Sequence, residues 1–130
     1  RMVKHYRLSE YDDVIYKAVH AKHPCTIWTM QSYDNYMWHY DLFKYLSWEF
    51  EYRFGKLHAS WEKLRNVLNV TPRNIRVGSR TPFAKAMKAY PDLMEIADPV
   101  KAYQEFYKVD KIRFAKWEKG RPAPKWWIDK

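Results

Sequence analysis

One stripe of polar residues stands out in the aromatic-rich segment 32–54. At about 100° per residue, Asn35, His39, Glu49 and Arg53 fall on one side of a helix. Aromatic rings cover most of the remaining circumference, so we expect the stripe to be semi-buried, a setting typical of functional ionisable groups. A structural ion pair between Glu49 and Arg53, four residues apart, and a hydrogen-bonded histidine account for the same pattern equally well.

These residue types suit acid–base chemistry on a bound base. A carboxylate exchanges protons with a substrate, a guanidinium binds an anion or a carbonyl oxygen, and a histidine carries a proton or donates a hydrogen bond. The predicted site consists of Glu49, Glu51, Arg53, His39 and His23 as catalytic residues, and of Asn35 and Trp38 as lining of the substrate pocket.

A second group of reactive residues, His20, His23 and Cys25, forms an H-x-x-H-P-C cluster. Structural zinc needs a further pair of ligands at comparable spacing, and no other histidine of the chain belongs to such a pair. The chain also lacks GxGxxG, a P-loop, GxSxG and HExxH. We therefore predict neither a metal nor a cofactor.

The charge of the chain favours a polyanionic partner. The sequence has 24 Lys and Arg against 15 Asp and Glu, a formal net charge of +9. Between residues 63 and 88 there are seven cations and no acid, in a stretch interrupted by prolines, and each can meet a phosphate. A solvated loop is the alternative. The predicted phosphate contacts are Lys63, Arg65, Arg73, Arg76, Arg80, Lys85 and Lys88.

The C-terminal tail interleaves cations with indole rings, in Arg121, Lys125, Trp126 and Trp127. Such residues are predicted to bind nucleic acid, the rings by stacking on bases and the cations by holding the backbone. Alternatively, the tail straps over the helices and its rings fill the edge of the core. Adjacent side chains of an extended chain point in opposite directions, so we expect one tryptophan to pack and leave the other open.

Helices must position these residues, and three main ones are predicted. The longest covers residues 32–54, with Ser32 as N-cap, Gly55 as terminator and a largely buried circumference. A short amphipathic helix begins at Ser60 and ends before Thr71-Pro72, and the last runs from Asp98-Pro99 to Gly120.

The rest of the chain is predicted to be loops and short helices. Residues 71–98 are predicted to form a loop with one helical turn after Thr81-Pro82. A short helix is expected around Tyr11 to Val19, and residues 121–125 are expected to be extended. The predicted fold is all-α: a compact bundle of three main helices plus short helices and long Pro-containing loops. At 130 residues, one domain is expected.

Five motifs resemble a family of small phage-encoded proteins of largely unassigned function, and together they cover most of residues 20–127. The motifs are His23-Pro24-Cys25 with Trp28, Tyr33-x-x-Tyr36-x-Trp38, Glu51-Tyr-Arg-Phe-Gly-Lys56-x-His58, Asp98-Pro-x-x-Ala102-Tyr103 and Lys119-Gly-Arg-Pro-x-x-x-Trp126-Trp127. A long aromatic helix ending in Arg-Phe-Gly, followed by a late Arg-Pro-x-x-x-Trp tail, is also similar to the endonuclease V type of pyrimidine-dimer DNA glycosylase. This second resemblance implies an all-α protein that flips a nucleotide and uses an N-terminal amine with a glutamate of the first helix.

The chain departs from the phage family at its start. Members begin with a segment containing a His-Cys-Asp-Lys-His-like motif that is absent here. Arg1 precedes Met2, so the first residues are either added residues or the cut end of a longer protein, in which case an N-terminal segment is missing. No catalytic residue transfers by motif, and Arg1 is not expected to be an inherited nucleophile. What the resemblance does imply is a helical DNA-binding scaffold with aromatic rings near an extruded base.

These observations lead to one expected function and two alternatives. We expect a phage DNA-binding protein that acts in base processing or modification, with the choice between DNA and RNA left open. The alternatives are a non-catalytic phage interaction or structural protein with aromatic docking surfaces, and an enzyme acting on a free nucleotide. One cysteine, no long apolar run and no hydrophobic signal region predict a soluble protein in the cytoplasm of an infected host cell, without a membrane partner.

Overall fold

The computed structural model describes residues 14–129, and within this range the secondary structure is entirely helical. The six helices there are α1 (Pro24–Met30), α2 (Tyr33–Phe54), α3 (Ala59–Leu68), α4 (Pro91–Met94), α5 (Pro99–Asp110) and α6 (Lys125–Ile128). The predicted all-α class with three main helices, α2, α3 and α5, is confirmed. The chain divides into two compact units, residues 1–81 and residues 82–130.

The first two helices begin at side-chain caps. His23 caps α1 by accepting a hydrogen bond from the backbone N–H of Cys25 at 3.1 Å, and Pro24 follows at the first helical position. Ser32 caps α2, and Gly55 ends it in the left-handed conformation with φ 70°, so both predicted ends of the long helix are confirmed. The helix expected around Tyr11 to Val19 lies partly outside the described residues, and residues 14–19 are not helical.

Helix α3 begins earlier than the predicted Ser60. His58 is its N-cap and accepts a hydrogen bond from the backbone N–H of Ser60 at 3.2 Å. The amphipathic face of α3 is buried as predicted, and its residues Leu64 and Val67 form a small core with Ile15. The histidine cap was not anticipated because serine, threonine, aspartate and asparagine are the common residues at this position.

Helix α2 is far more exposed than its sequence predicts. Along its 22 residues only Asn35, Tyr36 and Ser47 are buried, whereas several large side chains are exposed: Tyr33, Leu42, Tyr45, Leu46, Trp48, Tyr52 and Phe54. The helix carries apolar side chains around its whole circumference, but only α1 and α3 among the described helices pack extensively against it. The expectation of a largely buried helix is therefore wrong.

The loop after α3 returns to the N-terminal end of α2. The backbone N–H of Tyr33 donates to the carbonyl of Arg76 at 2.9 Å, and that of Asp34 donates to the carbonyl of Gly78 at 3.2 Å. The loop also passes close to the cap of α2, since a Cβ added at Gly78 would lie 3.3 Å from the Cβ of Ser32. These bonds fasten the cation-bearing loop 69–81 to the helix that carries the polar stripe.

The second unit is built on α5, whose start is confirmed and whose end is not. Asp98 caps it, with a carboxylate oxygen accepting from the backbone N–H of Val100 at 3.0 Å. The helix ends at Asp110 instead of Gly120, because Ile112 and Phe114 are exposed and provide no packing that would extend it. Lys119 and Gly120 both have positive φ, 53° and 83°, which the α-helix excludes.

The loop 82–90 is fastened to α4 and α5 by side chains. The Tyr103 hydroxyl donates to the carbonyl of Ala84 at 2.6 Å and accepts from the N–H of Ala86 at 3.0 Å, while Met87 is buried. No helix follows Thr81-Pro82; the single helical turn of this region is α4. The prediction of a turn there was wrong because loop–helix bonds, which leave no pattern in the local sequence, fix this backbone.

Within residues 14–129, no helix is long and apolar enough to cross a membrane.

Candidate functional site

A cavity of about 480 Å³ lies in the first unit and is bordered by α1, α2, α3 and residues 16–21. Its volume is in the range of small-molecule sites. Four aromatic rings form much of its described lining, accompanied by hydroxyl groups, two histidines and aliphatic side chains. The lining residues are Tyr16, Ala18, Val19, His20, Ala21, Thr26, Thr29, Tyr36, His39, Tyr40, Phe43, Ser60, Leu64 and Leu68.

His39 is held in a defined orientation at this cavity. Its Nδ1 lies 2.8 Å from the hydroxyl oxygen of Thr29, and that hydroxyl lies 2.7 Å from the carbonyl oxygen of Cys25. A carbonyl can only accept, so the Thr29 proton points to Cys25 and the hydrogen-bond network assigns the ring proton of His39 to Nδ1. Nε2 then carries the lone pair and is the ring nitrogen available to a ligand.

The charge state of His39 follows from its surroundings. The residue as a whole is exposed, yet the protein atoms packed around the ring desolvate it, and this burial lowers the pKa of His39 below 6.5. The imidazole is therefore neutral at pH 7. A neutral ring with its lone pair on Nε2 accepts a hydrogen bond or a proton from a bound molecule.

Two tyrosines complete the α2 face of the cavity. The hydroxyl of Tyr36 donates to the carbonyl of Leu68 at 2.6 Å, and that of Tyr40 donates to the carbonyl of Arg65 at 3.0 Å. Burial raises the pKa of Tyr36 strongly, with a smaller contribution from Tyr40, and burial is also the main reason that the pKa of Tyr40 is raised. Both hydroxyls remain protonated at neutral pH, and their protons are directed away from the cavity to the last turns of α3.

The two predicted pocket residues are used elsewhere. Asn35 has no exposed surface; its amide nitrogen donates to the carbonyl of Trp28 at 2.7 Å and to the hydroxyl of Thr81 at 2.9 Å, and its oxygen accepts from the N–H of Thr81 at 2.9 Å. Trp38 packs edge-on against Trp28 with ring centroids 5.6 Å apart and is not part of the described lining. Asn35 thus joins α1, α2 and the end of loop 69–81 rather than facing a substrate.

The predicted carboxylates are not brought to the cavity. Glu49 is ten residues beyond His39, about 15 Å along the helix axis, and its Oε2 lies 2.8 Å from Nε of Arg53. The structural ion pair, one of the two interpretations of the stripe, is the arrangement observed. Glu51 is exposed, and no carboxylate occurs among the described residues that line the cavity.

His23 and His20 are placed differently from what the sequence suggested. His23, a predicted catalytic residue, is the N-cap of α1 and accepts through Nδ1 from its own helix. His20, which lines the cavity, adopts a left-handed backbone with φ 55°, uncommon for a residue other than glycine. Sequence reasoning missed the tyrosines as well, although the spacing of Tyr36, Tyr40 and Phe43 places them on one face of a helix.

Cations of the first unit lie on α3 and in the loop that follows it, and Lys63 is close to the cavity. The ammonium group of Lys63 lies 4.4 Å from the centroid of the Tyr16 ring, a lining residue, and Lys63 and Arg65 flank Leu64, another lining residue of α3. Arg73, Arg76 and Arg80 follow in loop 69–81, where all three are exposed. The guanidinium of Arg76 also donates to the carbonyl of Gln31 at 3.1 Å, which orients it beside the start of α2.

The predicted contacts of the second unit divide into surface and structural residues. Lys88, Arg121 and Lys125 are exposed. The ammonium group of Lys85, in contrast, is partly buried and donates to the carbonyls of Met94 and Ile96, each at 2.6 Å, so this predicted phosphate contact instead joins the loop to the region around α4.

The tail tryptophans lie in α6 and pack together. The Trp126 and Trp127 ring centroids are 6.1 Å apart; Trp127 also contacts Trp117 at 5.1 Å, and Trp126 contacts Tyr107 at 6.4 Å. The expectation that the two rings point in opposite directions is wrong because this segment is helical rather than extended. Both rings are half-buried: Trp126 packs against Tyr107 of α5, and Trp127 packs against Trp117, which lies beyond the end of α5.

No group of three or more His, Cys, Asp or Glu among residues 14–129 is arranged to hold a metal ion. No family model, curated protein or solved structure matches this chain.

Proposed function

We propose that this protein binds nucleic acid, DNA in the first instance, and draws one base out of the strand into the cavity of the first unit for base processing. One observation carries the proposal: an aromatic cavity of about 480 Å³ is bordered by α3, where a run of cations without acids begins at Lys63. Such a juxtaposition supplies backbone contacts and a base pocket on the same unit.

The backbone contacts are assigned to five cations of the first unit. Lys63, Arg65, Arg73, Arg76 and Arg80 lie in residues 63–80, a stretch without Asp or Glu. Neutralising five phosphates of duplex DNA gives a log–log salt slope of about −4.5, which is an affinity loss of about 500-fold between about 50 and about 200 mM salt. Removing three contacts leaves a slope of about −1.8 and a loss of about tenfold.

The base is assigned to the aromatic walls. Tyr16, Tyr36, Tyr40 and Phe43 present ring surface to the cavity, and stacking on such rings stabilises a bound base by about 1–3 kcal/mol each. Extrusion of a nucleotide costs a few kcal/mol, least for a mismatched, damaged or single-stranded base. Binding is therefore expected to be tighter to a mismatch or a single strand than to a fully paired duplex.

Base processing in this site relies on His39. Its neutral imidazole is the group suited to take a proton from a bound base or an attacking water, whereas Glu49 is paired with Arg53. The resemblance to phage-encoded proteins and to pyrimidine-dimer glycosylases supports repair or modification as the context. His39→Gln is expected to abolish base processing, while Glu49→Gln is expected to lower stability and leave processing intact.

The proposal is tested by fluorescence anisotropy with a labelled duplex, with and without one mismatch, at about 50 and about 200 mM salt. The triple variant Arg73→Ala, Arg76→Ala, Arg80→Ala is expected to reduce the salt-dependent loss from about 500-fold to about tenfold. Lys56→Ala, an exposed cation after the distal end of α2, is the matched control and should change the slope little. Salt-insensitive binding, or an equal effect of the control, contradicts the proposal.

A second function is favoured by the exposed half of α2. Tyr45, Trp48 and Tyr52 occur at i, i+3 and i+7 with 44–58% of their surface exposed, and the rings of Tyr45 and Trp48 pack edge-on at 5.4 Å. Exposed clusters of this kind mark protein interfaces, as expected of a non-catalytic interaction protein. This function would be favoured if sedimentation showed that the wild-type protein self-associates and that Trp48→Ser does not, and if the wild-type protein did not bind DNA.

A further inference from the structure

The hydrogen-bonding groups that α2 contributes to the cavity all use their protons within the protein, so they can accept a hydrogen bond but cannot donate one. Tyr36 and Tyr40 direct their hydroxyl protons to carbonyls of α3, so their oxygens can only accept from a molecule in the cavity. His39 directs its Nδ1–H to Thr29, so its Nε2 can only accept as well. None of these three groups therefore has a proton left to donate to a molecule in the cavity.

The other polar residues among the described lining can change between donating and accepting a hydrogen bond, except Thr29. The hydroxyls of Thr26 and Ser60 can each donate or accept, and so can the ring of His20, so these groups follow the ligand. Thr29 has committed its proton to the carbonyl of Cys25. The fixed part of the pattern is thus set by α2, and no Asp, Glu, Lys or Arg lies among the described lining to bind a charged group.

We propose that the cavity selects an aromatic heterocycle that carries an exocyclic amino group, of the adenine or cytosine type, and that His39 is the specificity-determining residue. An amino group donates one hydrogen to Nε2 of His39 and its second to a tyrosine oxygen, while the rings of Tyr36 and Phe43 contact the faces or edges of the heterocycle. A carbonyl in the same place would oppose lone pair to lone pair and leave the acceptors unpaired. This inference rests on the proposed function, in that the cavity holds a base.

Two pairs of nucleosides exchange the amino group for a carbonyl with little change in size. Adenosine and inosine form one pair, cytidine and uridine the other, and in each pair the adjacent ring nitrogen also changes from an acceptor to an N–H donor. Sites that hydrogen-bond a substrate group reject the analogue that lacks it, so the amino member of each pair is expected to bind at least tenfold more tightly. His39→Gln, whose amide can present either an acceptor or a donor, is expected to bring both ratios close to one.

The experiment is a titration of the isotope-labelled protein with each nucleoside, followed by NMR at the ring signals of His39 and the tyrosines. His58→Asn is the matched control, because His58 lies outside the cavity lining and asparagine keeps its capping role. Thermal melting of each variant reports whether it remains folded. The discrimination should persist in His58→Asn and disappear in His39→Gln.

The outcomes separate this inference from the proposed function. Equal affinity for both members of each pair, or nucleoside binding that leaves the His39 signals unmoved, overturns the inference, even where DNA binding keeps its salt dependence. Discrimination by the wild-type protein that is retained in His39→Gln also overturns the role of His39. If the wild-type protein discriminates, His39→Gln does not, and the wild-type protein shows no salt-dependent DNA binding, the selectivity is upheld. The substrate is then a free nucleotide or nucleoside rather than a base in DNA.

Discussion

Replacing Asn35 by alanine removes the side chain that joins three segments of the first unit. The amide makes hydrogen bonds of 2.7, 2.9 and 2.9 Å, and the residue has no exposed surface. Each buried group left without its partner costs about 1–3 kcal/mol, and the Thr81 groups are only partly buried and can regain water. We therefore expect Asn35→Ala to lower the free energy of unfolding by about 3 kcal/mol.

The assay is urea denaturation followed by tryptophan fluorescence, with amide hydrogen exchange at Thr81. A loss of about 3 kcal/mol corresponds to a decrease of roughly 10 °C in Tm for a chain of this size. Asn66→Ala is the matched control, because Asn66 is exposed on α3 and alanine favours the helix there. An Asn35→Ala protein within about 0.5 kcal/mol of wild type, with Thr81 still protected, would show that this amide does not hold the loop.

Three further predictions concern other elements of the chain. Lys85→Met should lower Tm, since it removes an ammonium group bound to two carbonyls, and should leave the salt slope of DNA binding unchanged; a smaller slope would restore Lys85 to the phosphate contacts. Gly55→Ala should cost about 1 kcal/mol by urea denaturation, because φ is 70° at this position, and an unchanged midpoint would contradict that strain. Stability measured against pH should fall as pH drops below 6.5, because the unfolded chain then protonates a histidine that the folded chain keeps neutral. His39→Gln should flatten this dependence.

The helix boundaries that sequence predicted correctly all have a local cause. Ser32, Gly55 and Asp98 act through their own backbone neighbourhood, so the cap pattern alone is sufficient to place them. His23 and His58 are caps of the same geometry that went unrecognised, because histidine is an unusual residue for this position. The end of α5 was missed because apolar residues at Ile112 and Phe114 continue the period without any partner to pack against.

The candidate site includes only part of the predicted set of residues, and the differences have two origins. A polar stripe identifies residues of one helix face, but it cannot say how far along the helix the neighbouring elements reach. His39 meets α1 through Thr29, whereas Glu49 and Arg53 lie beyond it and pair with each other. Assignment of Asn35 failed for a different reason, since its partner Thr81 lies 46 residues away in the sequence.

The most direct measurement for the base-binding cavity is the response of the His39 ring to DNA. A short single-stranded oligonucleotide at low salt is expected to shift the ring signals of His39 and Tyr36. High salt should reverse the shift, and the ring signals of His58 should stay in place. Shifts confined to Arg73, Arg76 and Arg80, with His39 unmoved by any oligonucleotide, would contradict this expectation and leave a protein that binds the DNA backbone without taking a base into the cavity.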